Sequence, residues 1–194
     1  RLNSASVGAR FFELLGVQMK LGRGFITSED KTGAARVVVL SDKLWRNDFG
    51  ADVRVIGRPI SLNGKDYTVI GVAPPSLTYP STPDIWVPFV FESWMTDPDN
   101  RGAHFMSAIA RLRPGVSEAA AKRDMATIGG RLQKEYPKSN ATFGGTAENL
   151  QRSIVGDVRG TLLTMFGAVT FVLLIACANV ANLLLVRAAG RETE

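Results

Sequence analysis

A run of 25 residues without a formal charge, Leu162–Val186, constrains this chain more than any other feature of its sequence. As an α-helix the run covers roughly 37 Å, which is enough to cross a bilayer core of about 30 Å with some tilt. The alternative is a buried helix in a large soluble core, but soluble helices rarely run so far without a charge. We therefore predict a transmembrane helix over residues 158–187.

Two amides interrupt this apolar run. Asn179 and Asn182 are three residues apart, so they share one helix face, and Ala178 and Ala181 beside them are small. Small side chains let a second helix approach closely, and amides in hydrocarbon need hydrogen-bond partners. We interpret these four residues as a helix-packing face. The other interpretation, a polar path for a substrate through the membrane, stays open.

The flanks of the run leave its orientation undecided. Arg152 and Arg159 precede it, while Arg187 and Arg191 follow it, so the positive-inside rule favours neither side. Elsewhere 23 Lys and Arg are scattered among 18 Asp and Glu, without a basic run, and we predict no nucleic-acid partner. The chain does not begin with Met and has no apolar signal-peptide core at its start, so we expect a fragment of a longer protein.

The region before the run alternates strand and helix signals. Arg36–Leu40 is rich in β-branched residues and predicts a strand. Ser41 follows as the N-cap of a helix that Gly50 ends. Phe11–Leu15 predicts another short helix, ended by Gly16.

A β-hairpin is predicted over Arg58–Val72. Asn63 and Gly64 occupy the two central positions of a type I′ turn, both of which need a positive φ. Apolar and polar residues alternate on both sides of the turn, so one face of the hairpin is expected to be buried. Asp84–Val90 predicts a further extended segment.

A βαβ unit is predicted after the hairpin. His104–Leu112 alternates like a strand, Ser117 caps a helix, and a weaker strand follows at Thr146–Leu150. Gly129 and Gly130 lie inside the helix, where each costs about 1 kcal/mol relative to Ala. A close packing contact would explain the pair.

Residues suited to catalysis are few. His104 is the single histidine, and a metal site of His and Cys would need partners that the sequence lacks. The paired carboxylates Glu29-Asp30 and Asp97-Asp99 are interpreted as solvated turns. The segment from Gly57 resembles a phosphate loop only superficially, since six residues separate its glycines where the motif has four. We predict no catalytic, cofactor-binding or metal-binding residue, and no cofactor.

Several stretches, taken in order, resemble the MacB-like periplasmic core domain joined to an FtsX-like permease helix, as found in bacterial ABC-type exporters. The stretches are Phe11–Phe25, Val37–Gly50, Val55–Pro75, Asp84–Phe89, Ala110–Ser117 and Leu173–Glu194. Each stretch is weak alone, but their order along nearly the whole chain is specific.

The resemblance implies a two-lobed α/β (α+β) periplasmic domain, with βαβ units and a β-hairpin-rich lobe, followed by one transmembrane α-helix. It also implies that the domain lies between the first two of four membrane helices. The expected divisions are a core domain at 1–157, comprising an α/β lobe at 1–50 and 104–157 with an inserted lobe at 51–103, then the membrane helix at 158–187 and the start of a cytoplasmic segment at 188–194.

The resemblance further implies a permease that couples cytoplasmic ATP hydrolysis to motion of its periplasmic domain in the bacterial inner membrane. The implied partners are an ABC ATPase subunit or domain, the remaining membrane helices, a second protomer and a periplasmic adaptor. Gly156 and Gly160 would serve as hinges, because glycine tolerates backbone states closed to other residues. An FtsX-like signalling scaffold that transports nothing is the alternative, and a membrane-anchored enzyme is a third reading.

Overall fold

The computed structural model describes residues 2–189. The chain divides into two compact units, Arg1–Arg111, called here the sheet unit, and Leu112–Glu194, called the helical unit. In the described part of the chain the sheet unit contains six strands and two α-helices: β1 (Ser4–Val7), α1 (Phe11–Leu15), β2 (Leu21–Gly22), β3 (Val37–Leu40), α2 (Asp42–Phe49), β4 (Pro59–Leu62), β5 (Lys65–Val72) and β6 (Ile85–Pro88). Short 3-10 turns occur at Val53–Val55, Ser93–Met95 and Pro98–Asn100. The helical unit contains α3 (Glu118–Glu135), α4 (Pro137–Asn140) and α5 (Leu150–Ala189).

The strands form one mixed sheet in the order β1-β6-β3-β5-β2, and β4 pairs with β5 as well. Strands β1 and β6 are parallel, as are β3 and β5, whereas β6 runs antiparallel to β3. Helix α2 lies in the connection between the parallel strands β3 and β5, as the geometry of a parallel pair requires. The mixed α/β fold predicted from the sequence is confirmed.

The apolar core lies on both faces of this sheet. All four residues of β3 are buried, and alternate side chains point to opposite faces. Val37 and Val39 pack in one cluster with Phe12 of α1, and the other face of β3 packs against Leu44 and Trp45 of α2. A strand covered on both faces reads as a continuous apolar run, which explains the sequence of β3.

Local signals in this unit are confirmed. The Ser41 Oγ accepts a hydrogen bond from the Leu44 backbone N–H at 3.1 Å, and Gly50 ends α2 with φ 59°. The hairpin turns at Asn63, with φ 52°, and Gly64, with φ 74°. Both angles lie in the left-handed region that a type I′ turn requires.

The βαβ prediction after residue 103 is wrong in its strands. Helix α3 is present and Ser117 caps it, accepting from the Ala120 N–H at 3.2 Å. However, neither His104–Leu112 nor Thr146–Leu150 forms a strand, and Leu150 is already the first residue of α5. An alternating segment forms a strand only when a neighbouring strand supplies hydrogen bonds and an apolar surface covers one of its faces. Most side chains of His104–Leu112 are exposed instead.

The predicted inserted lobe shares its sheet with the first lobe. Strands β4, β5 and β6 come from residues 51–103; β5 and β6 pair with β3 and β1 from residues 1–50, while β4 pairs with β5. The two-lobe division stays a prediction, and the sheet does not change at its boundaries.

Helix α5 is 40 residues long and includes a segment, Gly160–Asn182, that is apolar and long enough to cross a membrane. By length and composition it is the one candidate span among the described residues, and none of it is buried. The predicted cytoplasmic segment at 188–194 lies largely outside the described residues, which end at residue 189.

Candidate coupling site

The start of α5 is joined to α3 through side chains of the helical unit. Asn149 caps α5 by accepting a hydrogen bond from the Arg152 N–H at 3.2 Å. The Arg152 guanidinium lies 3.4 Å from the Glu118 carboxylate, which also accepts a 3.0 Å ion pair from Lys122. The hydrogen bond from Lys122, then the charges of Arg152 and Lys122, hold the pKa of Glu118 below its usual range. Glu118 therefore links the first turn of α3 to the first turn of α5.

The segment between α4 and α5 packs closely on α3. A side chain on Gly129 would collide with the backbone of Gly144 and Gly145, and one on Gly145 would collide with the Met125 carbonyl. The Gln133 Nε2 also donates to the carbonyl of Phe143 at 3.1 Å, which fixes the segment on the same face.

Of the two adjacent glycines in α3, close packing explains Gly129 but not Gly130. Gly129 lies where only a residue without a side chain allows this close approach, and it is buried. Gly130 has nothing within 4 Å of where a Cβ would stand. The packing contact expected from the sequence exists at Gly129.

The candidate hinges lie inside a continuous helix. Gly156 and Gly160 are interior residues of α5, and a Cβ at either would meet open space. The linker expected between the soluble domain and the membrane span is thus the first three turns of the same helix. A hinge at these glycines stays a prediction.

The polar residues of the candidate span differ in how they are satisfied. Thr164 and Thr170 donate to carbonyls of their own helix, at 2.8 Å to Thr161 and 2.8 Å to Phe166. Asn179 and Asn182 are exposed, and their side-chain amides form no hydrogen bond within the described part of the chain. The four-residue packing face with Ala178 and Ala181 stays a prediction, and it coincides with the unsatisfied amides.

The carboxylate at residue 29 corrects the expectation of solvated turns. Glu29 is buried and accepts hydrogen bonds from the Arg23 guanidinium at 2.6 and 3.1 Å and from the Ile26 N–H at 2.9 Å. Burial by itself raises the pKa of Glu29, but these hydrogen bonds and the charge of Arg23 outweigh it, so the pKa is lowered. Asp97 is exposed and caps a 3-10 turn, as expected of a solvated turn.

Asp42 holds a second buried ion pair in the sheet unit. Lys20 Nζ lies 2.6 Å from one of its oxygens and Arg46 Nε lies 2.8 Å from the other, and Lys20 also faces the ring of Trp45 at 5.0 Å. The hydrogen bond from Lys20 is the main reason that the pKa of Asp42 is lowered. The two carboxylates fasten the chain before β3 and the start of α2.

Within the described residues no group of three or more His, Cys, Asp or Glu side chains is arranged to hold a metal ion. His104 lies in irregular chain in the sheet unit. The features that stand out are the long apolar helix α5 and its side-chain ties to α3.

Comparison with known proteins places these features in a family. Proteins named "Macrolide export ATP-binding/permease protein MacB" from Burkholderia thailandensis and Burkholderia pseudomallei are each 26% identical to this chain over 193 and 194 residues. The alignments cover 98% of this chain but only 28% of each relative.

Solved structures with similarity include the periplasmic region of MacB from Actinobacillus actinomycetemcomitans, with a TM-score of 0.47 and 19% identity over 72% of this chain and 59% of that one. A domain of a putative permease protein from Porphyromonas gingivalis has a TM-score of 0.44 and 19% identity over 78% and 70% of the two chains. The sequence model described as "MacB-like periplasmic core domain" matches residues 2–128, which include the whole described sheet unit and more than half of α3. The chain therefore belongs to the family of MacB-like periplasmic core domains found in ABC transporter permeases.

Proposed function

We propose that this chain is the permease part of an ATP-driven exporter, and that its core domain moves when a cytoplasmic ATPase hydrolyses ATP. The name of the Burkholderia relatives combines export, ATP binding and a permease, and this combination supports the proposal. The chain itself supplies no catalytic residue in the proposal, and the ATPase is a separate subunit or domain.

The observation that carries the proposal is the continuity of α5. The helix runs from Leu150 into the candidate span, and Glu118 ties its first turn to α3. The ten residues before Gly160 reach roughly 15 Å as a helix. A helix keeps its length and its rotational phase under load, whereas a flexible linker of the same length absorbs displacement. Motion of the span is thereby passed to α3.

In this proposal residues 1–157, which include the sheet unit, α3 and the start of α5, lie in the periplasm, and residues 158–187 of α5 cross the bacterial inner membrane. Asn179, Asn182, Ala178 and Ala181 face other helices of the permease, which satisfy the two amides. Two protomers form the exporter, each with an ATPase, and a periplasmic adaptor is a further partner. Bending during the cycle is concentrated at Gly156 and Gly160, since neither has a side chain that restricts the backbone.

The test of stiffness uses two insertions after Val158 in the full-length permease. A seven-residue Gly/Ser insertion removes the rigid connection, whereas a seven-residue Ala/Glu/Lys insertion is helical and restores nearly the same phase, since an α-helix has about 3.6 residues per turn. We expect ATP binding to persist in both and export to fall strongly only with the Gly/Ser insertion. Undiminished export with the Gly/Ser insertion would mean that the domain is a passive docking platform.

A transport measurement in membrane vesicles separates export from signalling. In membrane vesicles that hold the ATPase, an exporter moves a labelled substrate at the expense of ATP. If ATP turnover instead activates a periplasmic hydrolase, and no compound from a panel of amphiphilic substrates moves, then the FtsX-like alternative is correct.

The packing face is tested by replacing Asn179 and Asn182 with Leu. We expect weaker assembly of the permease, because the amides lose interhelical hydrogen bonds worth about 1 kcal/mol each. Thr170→Val is the matched control, since its hydroxyl already bonds to its own helix. Assembly is measured by cross-linking in native membranes, and unchanged assembly of the double variant would mean that this face points to lipid.

A further inference from the structure

A cleft of about 930 Å³ opens in the sheet unit. This volume falls at the upper end of the range of about 300–1,000 Å³ that is usual for small-molecule sites. None of the residues that line it takes part in the coupling proposed above. The cleft is therefore a feature that the mechanical function does not use.

The lining of the cleft is mainly apolar, and four of its residues are aromatic. Its buried part includes Phe11, whose ring stacks on Tyr79 with centroids 6.1 Å apart and planes 14° apart. Along one side run Phe105 and Met106, which are 45% and 56% exposed although both line the cleft. A flat apolar molecule in this space would cover both side chains, and covering apolar surface is favourable by about 25 cal/mol per Å².

The two arginines at the cleft differ, because Arg10 forms an ion pair with a carboxylate and Arg111, among the described residues, does not. Arg10 donates two hydrogen bonds to Glu13, from Nε to Oε2 at 3.1 Å and from Nη2 to Oε1 at 2.7 Å. Both oxygens of this carboxylate are therefore occupied. Arg111 donates from Nη2 to the carbonyl of Leu14, and no carboxylate lies within ion-pair distance of it in the part of the chain that the structure describes. A guanidinium has five N–H donors, so most of those of Arg111 remain available to an oxyanion.

We propose that this cleft binds a soluble small molecule with a flat apolar body and one anionic group. The body lies against Phe11 and Tyr79 and is covered by Phe105 and Met106. The anionic group pairs with Arg111, whose positive charge has no carboxylate partner. A cation with the same body is disfavoured, because it would meet the Arg111 charge and find both oxygens of Glu13 occupied.

The probes are three molecules with one aromatic body: 2-naphthalenesulfonate, neutral 2-naphthalenemethanol and the cation 2-naphthylmethylammonium. Each is equilibrated by dialysis against the full chain in nanodiscs of neutral lipid, with empty nanodiscs subtracted. We expect the sulfonate to bind about twofold to fivefold more tightly than the neutral probe, as for a solvent-accessible ion pair, and the cation to bind most weakly. Equal affinity for all three, or no binding above empty nanodiscs, overturns the proposal.

Variants locate the site. Phe105→Ala is expected to weaken all three probes about tenfold, whereas Ile26→Ala, equally exposed in the same unit but outside the cleft, leaves binding unchanged. Arg111→Gln is expected to remove the preference for the sulfonate and Arg111→Lys to retain it. Circular dichroism checks that each variant is folded. Probe binding that responds equally to Phe105→Ala and Ile26→Ala, or a sulfonate preference that survives Arg111→Gln, overturns the assignment.

Discussion

The sheet unit and the helical unit solve the problem of burial in opposite ways. Every buried apolar side chain that the structure describes belongs to the sheet unit. In the helical unit Gly129 is the one buried residue among those whose burial is described, and Met125, Ile128 and Phe143 are 39–48% exposed. The first unit contains the partners of its own apolar residues, whereas the second leaves its apolar faces exposed.

The largest expected difference between the units is in the cost of removing a leucine. Leu40 is fully buried, so Leu40→Ala is expected to lower the free energy of unfolding of the sheet unit by about 3 kcal/mol. Leu112 in the helical unit is 45% exposed, and Leu112→Ala is expected to change the free energy of unfolding of that unit by less than about 0.5 kcal/mol.

Urea unfolding measures this difference: tryptophan fluorescence follows the sheet unit, because all three tryptophans, Trp45, Trp86 and Trp94, lie in it, and far-ultraviolet circular dichroism follows the mainly helical second unit. Similar losses for the two leucine variants would contradict the comparison.

A second prediction concerns adjacent glycines in the helical unit. Gly129→Ala is expected to weaken the packing of residues 143–145 on α3 by about 1–3 kcal/mol, because the new Cβ meets backbone atoms that cannot yield. Gly130→Ala meets open space and is expected to stabilise α3 by up to about 1 kcal/mol.

Amide hydrogen exchange along α3 measures both effects. If Gly129→Ala speeds exchange and Gly130→Ala slows it, this unit has at least one specific internal contact. If both variants change exchange in the same direction, the packing contact at Gly129 is contradicted.

The hairpin turn gives a third, smaller effect. Gly64 has φ 74°, so Gly64→Ala is expected to cost about 1 kcal/mol of stability through backbone strain. Gly64→Asn is the matched control, since Asn tolerates the left-handed region better than other non-glycine residues. Thermal unfolding of the sheet unit separates the two, and equal midpoints would mean that the turn relaxes without cost.

The smallest effect is expected from pH. The pKa of Glu29 is lowered in the folded state from its ordinary value of 4.5, so its ion pair with Arg23 contributes stability fully above pH 4.5. That contribution is lost as the pH falls through the folded pKa, and the effect is modest because Arg23 is half exposed.

Glu29→Gln should flatten the fall in urea stability between pH 5 and pH 3. An identical pH profile in wild-type protein and the Glu29→Gln variant would remove this ion pair from the account of stability.

Signals that depend only on local chemistry were predictable from the sequence. The cap at Ser41, the turn at Asn63-Gly64 and the C-terminal glycines of α1 and α2 act within a few residues, so the sequence contains all that they need. The apolar run of α5 was predictable for the same reason.

Features that depend on a distant partner were not predictable. Alternation at His104–Leu112 suggested a strand, but nothing in the sequence says whether a neighbouring edge is available. The burial of Glu29 requires Arg23 to fold back on it, and two polar residues in a loop look solvated until that contact is known. Helix α5 begins at Leu150, before the predicted start at residue 158, because charged residues occupy its first turns; Asn149 is nevertheless a favourable N-cap.

The pairing of β1 with β6 has a consequence for how the protein is made. Asn3 and Asp84 exchange hydrogen bonds across 81 residues of sequence, so β1 leaves the ribosome well before β6, its partner in the sheet. At about 5–20 residues per second, that interval is roughly 4 to 16 seconds. Throughout it Phe11 and Phe12 lack the strand that completes their cluster. Until β6 has been synthesised, the nascent chain therefore exposes apolar side chains that the folded sheet unit covers.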